Sequence, residues 1–223
     1  MSAVGHGEQD HSHLMDRIYR HQRHFYDLTR RYYLLGRDRL VDELDAERGT
    51  RVLEVGCGTG WNLIRAAKRF PEAEFYGMDI SHEMLATAQR ASRRHGTDLH
   101  LTYGDATCFN PYANFGISRF ERIYMSYTLS MIPDWEATLA QAICNLAPGG
   151  SLHIVDFGEQ ERLPRWFRSL LRVWLTKFHV SPRGELKRVM EALATKLGAE
   201  LEFRPLYCGY AWYAVLRLPL QDE

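Results

Sequence analysis

The stretch Val52-Leu53-Glu54-Val55-Gly56-Cys57-Gly58-Thr59-Gly60 limits the possible folds more than any other part of the chain. An apolar run followed by glycine at every second position describes a strand that turns sharply beneath a ligand, where close backbone approach leaves no room for a Cβ. The helix that follows would then point its unpaired amides at that ligand. A dinucleotide fingerprint reads G-x-G-x-x-G. Here the third glycine comes one residue early, and an acid, Glu54, stands two residues before the first. A nucleotide-like cofactor of another kind is expected.

Three further signals follow in order. Glu74-Phe75-Tyr76-Gly77-Met78-Asp79-Ile80 is a short apolar strand ending in an acid, the position from which doubly wound folds hold ribose hydroxyls, so Asp79 is the expected ribose ligand. Leu99-His100-Leu101-Thr102-Tyr103-Gly104-Asp105-Ala106 is another strand ending in an acid. Leu146-Ala147-Pro148-Gly149-Gly150-Ser151-Leu152-His153-Ile154-Val155-Asp156 reads as a helix end, a turn and a buried strand. Together with the glycine loop, these segments resemble the class I S-adenosylmethionine-dependent methyltransferases. The resemblance implies S-adenosylmethionine as cofactor, with Asp105 accepting from the adenine amino group. It also implies cofactor contacts from Tyr33, Arg37, Glu54, Gly56, Cys57, Gly58, Gly60, Asn62, Asp79, Ile80, Met84, Asp105, Ala106 and Ser126.

The 223 residues, 45% hydrophobic and 25% charged, fit one globular domain with an ample core. Net charge is zero, so no global field recruits nucleic acid. Four cysteines without paired spacing argue against a disulfide framework or a zinc site and favour a reducing cytoplasm. No metal is expected. There is no basic-then-apolar leader and no uncharged apolar run of about 18 residues, so secretion and spanning helices are both disfavoured. Residues 1–13 read as a flexible tail and 14–223 as a single domain, with 14–46 an amino-terminal helical cap.

From residue 50 the pattern alternates strand and helix, which predicts an α/β, doubly wound, mostly parallel seven-stranded sheet with helices on both faces. Strands are expected near 51–55, 74–79, 99–103, 121–126 and 151–156, with helices near 60–70, 81–95 and 134–146 between them. Ser81 is a candidate helix cap. In a helix near 184–197, Leu186, Val189, Met190, Leu193 and Leu197 recur at helical spacing and should pack on the sheet. Strands near 200–207 and 210–217 lie too close for a crossover helix, so they should form an antiparallel hairpin at the sheet's edge with the final strand reversed. Ligands of such sheets bind at the carboxyl ends of the strands. That rule makes Tyr127 and Asp156, after the fourth and fifth strands, candidates to border the reacting group.

Two segments should choose the acceptor. Residues 159–183 read as an amphipathic insertion: Leu163, Trp166, Phe167, Leu170, Leu171, Trp174, Leu175 and Phe178 against Arg162, Arg165, Arg168 and Arg172. Six Lys or Arg and no Asp or Glu fall between Arg162 and Arg183. Near an anionic bilayer each basic residue contributes about 1 kcal/mol, and Trp166 and Trp174 would add interfacial anchoring. The same helix could instead pack on the domain or form a lid. Residues 14–44 look helical and carry Tyr19, Tyr26, Tyr32 and Tyr33 among arginines that include Arg20 and Arg31. Such tyrosines could cage an alkylammonium group, and an arginine could hold a carboxylate.

The stretch from Met15 to Arg39, with Pro164-Arg165-Trp166-Phe167 and Phe178-His179-Val180-Ser181-Pro182-Arg183, resembles the bacterial betaine-lipid N-methyltransferases. The resemblance implies threefold methylation of diacylglyceryl-homoserine at a lipid amine. Tyr127, Asp156 and Tyr32 would stand at the reacting amine. Tyr19, Arg20, Arg31, Trp166, Trp174 and Arg183 would meet substrate or membrane. It further implies a cytoplasmic protein, peripheral on an anionic membrane surface, working beside an enzyme that makes the homoserine lipid. Tyr26-Asp27-Leu28 with Gly36 and Arg39 is also similar to the quinone C-methyltransferases. A phospholipid N-methyltransferase, a quinone C-methyltransferase and a non-catalytic, cofactor-sensing membrane binder are therefore the alternatives.

Overall fold

The structure, a computed structural model, describes residues 33–178 and 180–220. The tail 1–13, most of the amino-terminal cap, and Tyr19, Arg20, Arg31 and Tyr32 lie outside the described residues. A short helix α1 (Arg37–Asp42) leads into β1 (Arg51–Val55), α2 (Trp61–Arg69), β2 (Glu74–Asp79), α3 (His82–His95) and β3 (Leu99–Tyr103). Then come α4 (Pro111–Phe115), β4 (Phe120–Ser126), a 3-10 turn (Leu129–Met131), α5 (Trp135–Cys144) and β5 (Leu146–Phe157). Helices α6 (Arg165–Lys177) and α7 (Leu186–Leu197) precede β6 (Glu200–Leu206) and β7 (Ala211–Arg217).

Seven strands form one sheet in the order β3-β2-β1-β4-β5-β7-β6. The β1–β5 pairings are parallel, and β7 runs antiparallel to both β5 and β6. This is the expected doubly wound α/β sheet with its reversed last strand. The hairpin folds back so that β7 inserts beside β5 and β6 becomes the edge. Strand order reverses between β1 and β4, so the crevice at their carboxyl ends is where a ligand fits this topology.

Alternate residues of the central strands feed two cores. Val52, Tyr124, Val155 and Tyr213 pack under Leu40, Leu44 and Leu63 on one face. Leu53, Ile123, Ile154 and Ala214 pack against Leu139 and Met190 on the other. Burial on both faces explains why β1, β4 and β5 read as nearly continuous apolar runs. Ser81 caps α3 as expected, its Oγ accepting from Met84 N at 3.3 Å. In α7, Leu186 and Met190 are buried as expected, but Leu197 in the last turn is exposed. The Pro148-Gly149-Gly150 turn is taken into β5 as a bulge, where pairing jumps from Phe120↔Leu146 to Arg122↔Ser151.

Helix α6 departs from the simple amphipathic reading. Its apolar residues divide into two stripes. Leu171 and Leu175 are buried on the domain, with Trp174 and Phe178 half-buried beside them, while Trp166, Leu170 and Val173 face solvent.

Candidate active site

The glycine loop is held from three sides. Gly56 N and Cys57 N both donate to Met78 O at 2.9 Å, folding the chain back over the end of β2. Gly56 has φ +72°, and a Cβ there would run into the side chain of Thr128, whose Oγ1 would lie only 2.9 Å away. Gly60 has φ +75°, and a Cβ there would stand 2.9 Å from Ala88 Cβ on α3. Both positions therefore require glycine for conformation and for space. Gly60 wedges the loop against α3 and is not among the residues that line the cavity.

Asp79, the last residue of β2, fastens two loops at once: Oδ2 accepts from Gly58 N at 2.8 Å and Oδ1 from Ser81 N at 2.9 Å. Asp105 fixes its own turn, Oδ1 accepting from Thr107 N at 2.8 Å and Thr107 Oγ1 at 2.7 Å. Both carboxylates line a cavity of about 770 Å³ at the strand ends. Its wall also includes the expected Arg37, Glu54, Gly56, Cys57, Gly58, Asn62, Ile80, Met84, Ala106, Ser126 and Tyr127. Ile80, Met84 and Ala106 supply apolar surface beside the Asp105 acid, suited to a flat heterocycle with a polar edge.

Glu54 lies at the floor, 1% exposed. Its Oε1 accepts from Asn62 Nδ2 at 2.7 Å and its Oε2 from the Tyr124 hydroxyl at 3.1 Å. Burial pushes its pKa up to about 8, against the opposing pull of those two donors and of the nearby Arg37 charge. Arg37 donates from Nε to Leu34 O at 3.2 Å, and its guanidinium lies 4.5 Å from the centroid of the Trp61 ring.

Asn62 and Ser126 line the cavity, and behind its surface Asn62 Oδ1 and Ser126 Oγ are buried with no hydrogen-bond partner among the described residues. Buried polar groups are rarely left unsatisfied without reason. A ligand with a diol near Asp79 and a flat base near Asp105 would engage both acids. S-adenosylmethionine has that shape and chemistry.

The raised pKa of Glu54 makes unliganded stability fall with rising pH. The folded state holds a proton that the unfolded chain releases near 4.5, so this stabilisation is complete below that value and is lost as pH climbs toward 8. His153, buried and lowered to about 3 by desolvation and the neighbouring Arg122 and Arg217 charges, has the opposite slope between about 3 and 6.5. Above pH 6.5 the opposing His153 slope is over, and comparison with Glu54→Gln separates the Glu54 slope from that of the buried Asp156, whose pKa is raised in the same direction. Melting temperature should drop between pH 6.5 and 8, and Glu54→Gln should flatten the drop; an equal slope in the variant would contradict the assignment.

Several expected site residues do not line the cavity. Asp156 does not line the cavity: it is 2% exposed, with Oδ2 accepting from Ser130 N at 3.0 Å and Oδ1 from Phe157 N at 2.7 Å. Burial raises its pKa. Arg183 does not reach the cavity either; Nε donates to Leu129 O at 3.0 Å and Nη2 to Ile132 O at 2.6 Å. The two side chains clamp the 3-10 turn beside the cavity. Tyr127 does line the cavity, but its hydroxyl donates to Leu35 O at 2.6 Å, and burial holds its pKa well above the ordinary phenol value. It is therefore poorly suited to take a proton.

Tyr33 stands outside the main cavity, in an adjoining apolar seam with Leu34, Tyr127, Met131, Phe157, Trp174, Phe178 and Val180. Its ring meets Trp174 edge-on at 4.5 Å. Trp166, with 71% exposure, touches neither space. Sequence reasoning missed Trp61, Met131, Ile132 and Pro133, all in the wall. Their signal was position: Trp61 directly follows the glycine loop, Met131 ends the turn after β4, and Ile132 and Pro133 follow it.

A sequence profile described as "Methyltransferase domain" matches residues 19–193. The demethylmenaquinone methyltransferase of Thermus thermophilus is 29% identical over 137 residues, 59% of this chain and 60% of that protein. Its counterpart from Listeria welshimeri is 31% identical over 124 residues, 54% of this chain and 50% of that protein. The chain thus spans between half and three fifths of the length of these curated relatives. Among solved structures, the plantazolicin methyltransferase BpumL, crystallised with a triazolic desmethylPZN analog and SAH, superposes with a TM-score of 0.70 at 14% identity, covering 93% of each chain. The crevice at the strand ends has the room and the acids for the cofactor that the sequence resemblance implies, and because the profile takes in well over half the chain, the chain belongs to the methyltransferase-domain family.

Proposed function

We propose that the chain methylates the amine of a lipid, with diacylglyceryl-homoserine, carried to the trimethylated betaine lipid, as the acceptor its sequence resemblance favours. The observation that carries this reading is the character of the wall where an acceptor would lie. Leu34, Tyr127 and Met131 border both the cofactor cavity and the aromatic seam beside it, and no described side chain of that seam is charged. The seam is close-packed, with room of only about 10 Å³, so it gives the cavity an apolar, aromatic border that an amine on an apolar tail would meet from the cavity side.

Bound S-adenosylmethionine supplies a methyl group already activated by its sulfonium. The protein's task is then to hold a neutral amine in line and to keep water away, and positioning of that kind can supply most of the acceleration. A free α-amino group has a pKa near 8, so about a tenth is neutral at pH 7 and no strong base is required. With the Tyr127 hydroxyl committed to Leu35 O, the displaced proton goes to water. The ring of Tyr127, which lines the cavity, favours each methylated cation by about 0.5–2 kcal/mol. Asp156 and Arg183 keep the wall in place by fixing the 3-10 turn.

Quinone C-methylation is the second reading, favoured by the two curated relatives named as demethylmenaquinone methyltransferases. Detergent micelles carrying diacylglyceryl-homoserine, phosphatidylethanolamine or a demethylmenaquinol, each incubated with labelled cofactor, separate the readings. Mass spectrometry should find one, two and three methyl groups on the homoserine lipid. Label confined to the quinol would replace the amine reading with the quinone one.

A further inference from the structure

Helix α6 presents an apolar stripe that nothing among the described residues covers. Trp166, Leu170 and Val173 follow one another at helical spacing and are 71%, 64% and 60% exposed. The opposite side of the helix is already satisfied by Leu171 and Leu175, which are 9% and 1% exposed. Exposed apolar stripes of this kind usually mark a contact surface.

The charges around the stripe select the partner. Arg165, Arg168, Arg172 and Lys177 lie on the helix and Arg162 just before it, with no acid from Arg162 to Phe178. Among the described residues none of these five cations takes part in an ion pair. A second copy of the helix would bring like charge to like. Residues 14–32 would bring five arginines against two aspartates, again the wrong sign. An anionic bilayer offers acyl chains for the stripe and phosphates for the arginines. The helix has 13 residues, about 20 Å at 1.5 Å per residue, too short to cross a hydrocarbon core of about 30 Å. No helix among the described residues is long and apolar enough to cross a membrane.

We propose that α6 lies in the plane of an anionic bilayer, with Trp166, Leu170 and Val173 seated at the headgroup boundary and with Arg165, Arg168 and Arg172, which fall on another face of the helix, reaching lipid phosphates along their long stems. The same helix closes one side of the aromatic seam through Trp174. Directly after it, Ser181 N donates to Ser130 O at 2.9 Å, and Arg183 holds the same turn. Docking would therefore fix the acceptor end of the cavity next to its lipid source. This deepens the lipid-amine reading, on which its meaning for turnover rests, while the docking itself is tested separately.

Flotation of the full chain with phosphatidylcholine vesicles, with and without phosphatidylglycerol, is the test. The chain should float with the anionic vesicles and much less with the neutral ones. The double variant Trp166→Ala/Leu170→Ala, and separately Arg165→Gln/Arg168→Gln/Arg172→Gln, should each lose at least about tenfold in partitioning. Cofactor affinity and melting temperature should hold in both variants, because the altered side chains point away from the core and the cofactor cavity. Equal flotation of the variants would overturn the proposal. So would failure of the unaltered chain to float, loss of flotation on removing residues 1–32 but not on changing Trp166 and Leu170, or a stable dimer that those changes dissociate. Homoserine-lipid methylation in micelles without any flotation would remove the docking helix and leave the acceptor reading standing; flotation without lipid methylation would do the reverse.

Discussion

Replacing Gly56 with alanine should lower the melting temperature by roughly 5–15 °C, on the scale of about 2–4 °C per kcal/mol for a chain of this size. Two costs add. An alanine held at φ +72° is strained by about 1–2 kcal/mol. Its Cβ would also overlap the Thr128 side chain, and overpacking of that kind costs about 1–3 kcal/mol. Thr128 cannot simply swing away, since its Oγ1 donates to Val55 O at 3.2 Å and holds the end of β1 to the loop after β4. The same shift would misplace the amides of Gly56 and Cys57, which both rest on Met78 O. Scanning calorimetry with and without S-adenosylhomocysteine measures both effects: the unliganded midpoint should fall, and the upward shift on adding ligand should shrink. A variant melting within about 1 °C of the parent would show that the loop is not wedged as described.

The second large effect is on binding. Asp79→Ala removes the acceptor that Gly58 N and Ser81 N share, together with the acid expected at the ribose. Losing the charge-assisted acceptor expected at the ribose hydroxyls costs about 2–4 kcal/mol of binding, roughly thirty- to a thousandfold in affinity. Asp79→Asn keeps one acceptor oxygen and should fall between the variant and the parent. The melting temperature without ligand should change far less than in Gly56→Ala, because Asp79 fixes loops at the rim and the core beneath is untouched. That contrast separates a residue that holds ligand from one that holds the fold.

Most of the sheet could be read from the sequence because its physical signals are local. Val52–Val55, Phe75–Met78 and Leu152–Val155 are short apolar runs bounded by turn residues, and the glycine spacing allows few alternatives. The short closing hairpin was legible because four residues between β6 and β7 cannot hold a crossover helix. Helix α4 and the 3-10 turn were not legible, since five and three residues complete too little of a helical period to register. The acceptor side misled for a different reason. Asp156 stands at a strand end, as a ligand-binding acid would, but the turn after β4 folds across it and delivers Ser130 N to its carboxylate. Arg183 looked free because its partners, the carbonyls of Leu129 and Ile132, lie more than fifty residues earlier. In α6 the sequence carried the apolar residues and their spacing. How the helix rolls on the domain, burying Leu171 and exposing Trp166, depends on the shape of the surface beneath, which no local pattern records.

The central claim is that one crevice at the switch between β1 and β4, with Asp79 and Asp105 on its wall, holds S-adenosylmethionine. Calorimetric titration of the purified chain with the cofactor's demethylated product tests it most directly. The expected result is a single saturable site per chain that weakens at least about thirtyfold in Asp79→Ala. A folded chain that gives no binding heat, or whose affinity is untouched by that substitution, would contradict it.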